Sequence, residues 1–411
     1  MLLDNPFHLL GAGPEDERET LVLRVDDLTL TVEGAETALA VLTHPRKRLG
    51  AEMAWLPGVG PERRRELLRL LESGELPPTG DLSDLPPLAA CNFAASLLAR
   101  HPGLPYRQLY DWGLFFMPWA FEHVRLGPLL EEINSTRAEA GFQAFIDQDA
   151  ASDELKSLQD RYLSAVCGAL AVRSSAECIQ LMADMVSRET EDYLPVLNTR
   201  LLELYEGEAL AFFEEEGAAI ESFCRGVEKL ADFRRHKPPL TDILTALWRS
   251  AANWAYVGRP LFMAALHQGL KQERTEEMAS GILNLSADLS NRFHNEKLAD
   301  YLNNILLALF PHLEISEIAR NNKKIFIYEL GWSGSWPLEM DLGPELPARK
   351  KALAEKGLAR LASGRGEIGA RLPEIQKRQP KPLSKWPARF RNIVLWIIII
   401  NVVRILIRIF E

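Results

Sequence analysis

The chain has 411 residues, a net charge of −10 and an apolar fraction of 47%, enough to bury at least one large core. The charge is uneven: residues 349–391 hold thirteen Lys or Arg against three acids, and residues 1–348 carry −21. So acidic a body excludes broad contact with nucleic-acid phosphates, which needs clustered cations.

The opening, MLLDNPFHLLGAGPEDE, has no basic start and no long apolar run. No secretory signal is expected, and the body is expected in the cytoplasm. Cys91, Cys167, Cys178 and Cys224 stand far apart with no C-x-x-C pair. That fits small buried apolar residues in a reducing compartment.

Helical periodicity dominates the chain. Candidate helices cover 14–30, 35–54, 60–73, 85–100, 104–124, 126–147, 153–172, 175–187, 192–205, 207–232, 240–255, 259–273, 275–292 and 295–310. Ser174 and Glu177 have the spacing of a capping box, and Leu181, Met182, Met185 and Val186 then mark one helix face. The expected fold is mainly α, in five parts. They are a small N-terminal helical module (1–75), a larger irregular bundle or hairpin stack (80–322), a short strand and turn (323–348), a basic helix with a Pro-broken linker (349–392) and an apolar C-terminal helix (393–411). The β excursion is placed at 323–342, because KKIFIYEL followed by GWSGSWP has the composition of a strand entering a turn.

Within the first module, NPFHLLG precedes an acidic helix start, and AETALAVLTHPRKRLGAEMAWL is a further helix broken at a proline. This pattern resembles the J-domain, the co-chaperone module of Hsp70-type ATPases. Leu9-Leu10-Gly11 matches the family's opening, residues 40–48 match the end of its third helix, and Glu52–Leu56 fits the aromatic run of bacterial J-like proteins. The resemblance covers about an eighth of the chain. It implies a partner-docking role for Asn5, Pro6, Phe7, Leu10, His44, Pro45, Arg46 and Arg48, with an Hsp70-type ATPase as the implied partner. The family's His-Pro-Asp tripeptide is missing: the corresponding loop reads Val32-Glu33-Gly34-Ala35-Glu36, and the second helix is acidic rather than basic. A J-like fold used for docking, or simply as a small helical domain, is therefore expected, rather than stimulation of an ATPase.

Seven aromatics fall within Tyr106–Phe121 (YRQLYDWGLFFMPWAF). They make either a groove for a peptide or lipid chain, or a core helix with Phe115 and Trp119 buried, ended or kinked at Pro118. The core helix is the preferred reading. Glu214, Glu215 and Glu216 are expected on a solvated face. Gly364, Gly366 and Gly369 have the G-x-G-x-x-G spacing, but no strand precedes them, so no dinucleotide site is expected. The eight histidines are scattered, with His294-Asn-Glu296 isolated, and neither a metal site nor a cofactor is expected. No catalytic motif is present, and an enzyme is not expected.

The chain closes on IVLWIIIINVVRILIRIFE. Residues 393–410 would span about 27 Å as a helix, just short of the ~30 Å hydrocarbon core of a bilayer. Asn401, Arg404, Arg408 and Glu411 recur every three or four residues, so they share one stripe. Lys385, Arg389 and Arg391 lead into Trp396, Ile397, Ile398 and Ile399. With Arg404 and Arg408, these residues are expected to engage membrane lipids at the cytoplasmic face. Facing stripes would also allow an oligomer through the tail. The sequence thus points to a non-enzymatic, membrane-tethered adaptor. The alternative is a membrane-acting effector of a bacterial defence or toxin-like system, whose tails cluster in the bilayer.

Overall fold

The computed structural model describes residues 1–28, 34–74, 77–188, 193–231 and 237–330, apart from the side chains of 81, 237–239 and 325–330. These residues are mainly helical, with no strand among them, and fall in one compact unit. None of their helices is long and apolar enough to cross a membrane. The basic helix, the Pro-broken linker, the glycine motif at 364–369 and the apolar tail lie outside the described residues, as does the turn expected after Leu330.

The first five helices are α1 (Pro6–Leu9), α2 (Arg18–Leu28), α3 (Ala35–Thr43), α4 (Pro45–Met53) and α5 (Pro61–Ser73), here called the head. Asn5 caps α1 by accepting from the Phe7 N–H at 3.0 Å. Pro45 disfavours helical geometry at the residue before it. His44 is accordingly extended, and the helix expected over 35–54 is two, α3 and α4.

A buried ion triad fixes α4. Arg48 and Glu52 lie one turn apart and point inward, and the Glu52 carboxylate also receives Arg137 from α9 (Leu126–Glu139). Glu52 accepts from Arg48 Nε at 2.7 Å and from Arg137 Nε at 2.8 Å. All three are buried, the two arginines to 1% exposure. Two cations share one anion, so the remaining N–H groups need acceptors, or the desolvation cost is not met. Backbone carbonyls supply them. Arg48 donates to Pro14 at 2.8 Å and Leu42 at 3.3 Å, and Arg137 to Pro45 at 3.1 Å and Gln143 at 3.4 Å. The Arg48 guanidinium also lies 3.6 Å from the Phe142 ring centroid, a cation–π contact. Burial lowers the Arg48 pKa, and Glu52 opposes that fall.

Behind the head runs α6 (Pro87–Arg100), buried without interruption from Leu88 to Leu98, as a central helix must be when it is apolar all round. Asn92 donates to the carbonyls of Met53 and Trp55, each at 2.7 Å, and accepts from Tyr162 of α10 (Gln148–Ala171) at 2.6 Å. Head, α6 and α10 are therefore joined through one buried amide. Between α6 and α9 the chain runs through α7 (Tyr106–Leu109), a π-helix (Tyr110–Phe116) and α8 (Met117–Glu122). Next is α11 (Ser175–Ser187), whose start is the expected capping box between Ser174 and Glu177.

The remaining elements are α12 (Val196–Ala231), α13 (Lys237–His267), α14 (Glu273–Asn291), α15 (Glu296–Leu309) and α16 (Glu314–Leu330). Three expectations fail here. The helices expected over 192–205 and 207–232 are one, because Tyr205, Ala209, Phe212, Phe213 and Ile220 form a continuous buried stripe through Gly207. The pair expected over 240–255 and 259–273 also fuses, through Pro260. Leu247, Ala251, Trp254, Val257, Leu261 and Ala264 keep one face buried, and Tyr205 donates to the Val257 carbonyl at 2.7 Å in the turn before the proline. Tertiary packing overrides the local helix breakers. The strand expected from Lys323 to Leu330 is instead the second half of α16. Its helix is set upstream by buried Ile315, Ser316 and Ala319, and Lys323 reaches Asn304 of α15 at 2.6 Å.

Replacing Glu52 with Ala would leave two buried guanidinium groups facing each other without their anion. A loss of about 3–5 kcal/mol in urea unfolding is expected. A loss below about 1 kcal/mol would contradict the role assigned to the triad.

Candidate functional site

The structure divides the eight residues expected to dock a partner. Asn5, Phe7, Leu10 and Arg48 are buried. They form the inside of the head and are not presented to a partner. Asn5 spends its amide on the Ala51 carbonyl at 2.9 Å, and Arg48 belongs to the triad. Pro6 is half-buried, whereas His44, Pro45 and Arg46 are exposed together with Lys47. His44 has a structural task as the cap of α4, its Nδ1 accepting from the Lys47 N–H at 3.4 Å. Of these eight residues, those presented outward thus form a short basic turn; the head also exposes Val22 and Leu23 of α2, at 41% and 65%. The membrane-associating set, Lys385, Arg389, Arg391, Trp396, Ile397, Ile398, Ile399, Arg404 and Arg408, lies outside the described residues.

The aromatic segment behaves differently from the expected core helix. Tyr110, Trp112 and Phe116 are buried, with Trp112 edge-on to Phe116 at 5.3 Å and tilted against Phe93 at 5.9 Å. Phe115 and Trp119, expected inside, are 49% and 53% exposed. A π-turn places one extra residue in the helix and so resets which side chains follow the buried face. Here the reset leaves Phe115 and Trp119 one turn apart on the outer side. Trp119 is extended by His123, whose ring lies 4.4 Å away.

Pro118 does not end this helix. It has no N–H to give to the Leu114 carbonyl four residues back. The buried Asn198 of α12 donates to that carbonyl at 3.2 Å, replacing the missing bond. The same meeting of α8 and α12 brings Glu122 to the start of α12. Its carboxylate accepts from the Val196 N–H at 2.7 Å and from the Tyr193 hydroxyl. Tyr193 and Val196 are themselves 55% and 40% exposed. Phe115, Trp119, Tyr193 and Val196 are therefore four exposed large side chains on the two segments that Asn198 and Glu122 join, here called the strip. Trp, Tyr and Phe on a rigid support are the side chains that anchor protein interfaces.

Other candidates are less developed. A shallow cleft of about 510 Å³ between α12 and α13 is lined by Phe223, Asp242, Thr245, Arg249, Ser250 and Asn253. Asn253 donates to Glu216 at 3.1 Å, and Glu216 is fully buried, contrary to the solvated face expected for it; Glu214 and Glu215 are exposed as expected. Asp242 and Arg249 give the cleft no single sign of charge. Cys91, Cys167 and Cys178 are buried and Cys224 half-buried, all as free thiols. Burial pushes the Cys167, Cys178 and Cys224 thiols up to about 12, which removes the thiolate a nucleophile needs. Among the described residues no group of His, Cys, Asp or Glu is arranged to hold a metal ion.

The Glu122–Tyr193 bond gives the strip a readable titration. The carboxylate accepting from Tyr193, helped by partial burial, raises its phenol from the usual 10 to about 12. A raised pKa means that the protonated phenol is favoured in the folded state. The contact therefore contributes fully below pH 10 and is lost as pH rises through 12. In Glu122→Gln, the Tyr193 phenol carbon followed by NMR should titrate back near 10; an unmoved titration would place Tyr193 away from Glu122.

This surface is defined by its own geometry, because no family model, no curated protein and no solved structure matches the chain.

Proposed function

We propose that this protein is a non-enzymatic adaptor whose helical body docks a cytoplasmic protein partner while its basic collar and apolar tail hold it at a membrane. The observation that carries this reading is the strip of Phe115, Trp119, Tyr193 and Val196, exposed on a support fixed by buried hydrogen bonds. Each such side chain is already about half covered, so a partner that buries the rest gains roughly half of the ~1.5–3 kcal/mol that full burial contributes. Four of them suffice as the centre of an interface without any chemistry at the site. The attachment half of the reading is supported by sequence alone: thirteen cations in residues 349–391 precede the most apolar stretch of the chain.

The J-like resemblance makes an Hsp70-type ATPase the first partner to test. The head's share in docking is assigned to the exposed turn His44–Pro45–Arg46, since the other residues of the expected set are committed to the core.

Two alterations separate the halves of this reading. Phe115→Ser/Trp119→Ser should lower recovery of the co-purifying partner at least about tenfold while leaving the protein in the membrane fraction. Replacing residues 393–411 by a soluble linker should do the reverse. Unchanged partner recovery from the first protein would refute the docking surface, and continued sedimentation of the second with membranes would refute the anchor.

A further inference from the structure

We propose that the cleft between α12 and α13 is a binding site for a free nucleotide, a small ligand that joins an aromatic base, a sugar and phosphate. The inference is independent of the adaptor reading. Phe223 lies twenty-seven residues beyond Val196 on α12, about 40 Å along the helix, so the cleft is distinct from the strip. Two concavities share Phe223 there. The first, of about 510 Å³, is formed by Phe223 and one face of α13, where Asp242, Thr245, Arg249 and Asn253 recur every three or four residues. The second, of about 420 Å³, is lined by Ser222, Arg225 and Lys229 at the same spacing on α12, with Ile243 of α13. Both volumes are in the range of small-ligand sites.

Each part of a nucleotide has a counterpart in these linings. Phosphate needs cations that are not already neutralised. Arg225, Lys229 and Arg249 are exposed, and none of them is in an ion pair among the described residues. Against them the two linings contain one acid, Asp242. A local excess of cations on a body of −21 favours an anion at this place. Asp242 suits the sugar, because an ionised carboxylate accepts from hydroxyl groups, as it does from ribose in dinucleotide folds.

The base needs a flat apolar surface and a polar edge. Phe223 is half-buried and lines both concavities, so its ring is the stacking surface. Ser250 and Asn253 form the buried end of the first concavity, at 6% and 3% exposure. Asn253 donates to the fully buried Glu216 at 3.1 Å, which fixes the direction of its amide. The second amide N–H and the amide oxygen are then the pair that meets a base edge. Length also matters. Asp242 and Arg249 are seven residues apart on one helix face, about 10 Å. A bare phosphate reaches one of them, whereas an elongated ligand reaches both.

The test is equilibrium dialysis of the full chain against ATP, GTP, CTP and UTP in turn. At least one should bind saturably, one molecule per chain, with a Kd below about 100 μM. The matching nucleoside and tripolyphosphate, which each carry part of the recognised chemistry, should bind at least about tenfold more weakly. Arg225→Gln/Lys229→Gln should weaken the nucleotide at least about tenfold and leave the nucleoside unchanged. Phe223→Leu, which keeps apolar bulk but removes the ring, should weaken both, with an unchanged unfolding midpoint. No saturable binding of any of the four nucleotides would overturn the proposal. So would tripolyphosphate bound as tightly as the nucleotide, or an affinity that neither variant changes. Partner recovery does not enter any of these readouts, so the adaptor reading is tested separately.

Discussion

Two guanidinium groups buried against one carboxylate form the constraint around which the N-terminal half is arranged. Arg48, Glu52 and Arg137 are almost completely withdrawn from water. Charges so placed are tolerated only with close partners and further hydrogen-bond acceptors. Meeting that demand recruits carbonyls from the loop before α2, the end of α3, the start of α4 and the loop after α9. Each loop is thereby held at the distance a hydrogen bond requires. The triad does not add stability cheaply. Its geometry matches the charges of α4 and α9 in the register observed.

That arrangement changes what the head can do. The opening residues were expected to face outward as docking residues of a small module. Here Phe7, Leu10 and Arg48 face inward, and Asn92 of α6 takes the carbonyls at the end of α4. Leu2 adds a bond from its N–H to Ser96 at 3.1 Å. The head is built into the body, and the exposed aromatic side chains lie at the junction of α8 and α12. There a proline, a π-turn and a buried asparagine act together. Pro118 removes a donor, Asn198 restores it, and the reset helix leaves Phe115 and Trp119 outside.

Features with a local cause were legible in the sequence. The Ser174–Glu177 box needs only residues three apart, and it forms as read. The break at His44–Pro45 follows from steric exclusion between neighbouring residues. Features decided by distant partners were not. Gly207 and Pro260 are helix breakers by composition, yet α12 and α13 bury matched stripes along one another and run through both. The run IFIYEL is ambiguous by periodicity, and it stays helical because α16 is already fixed from Ile315 onward. The exposure of Phe115 and Trp119 has no local signature, since it depends on a π-turn satisfied from α12. Glu52 gave no hint of its burial, because its second partner lies eighty-five residues away.

The central claim is that head and body share one cooperative structure through the triad and Asn92. Native-state hydrogen exchange tests this most directly, by comparing the slowest amides of α3 and α4 with those of α6 and α10. A shared structure predicts the same opening free energy and the same denaturant dependence for both groups. Exchange of α3 and α4 through a separate, lower-energy opening that leaves α6 and α10 protected would contradict it.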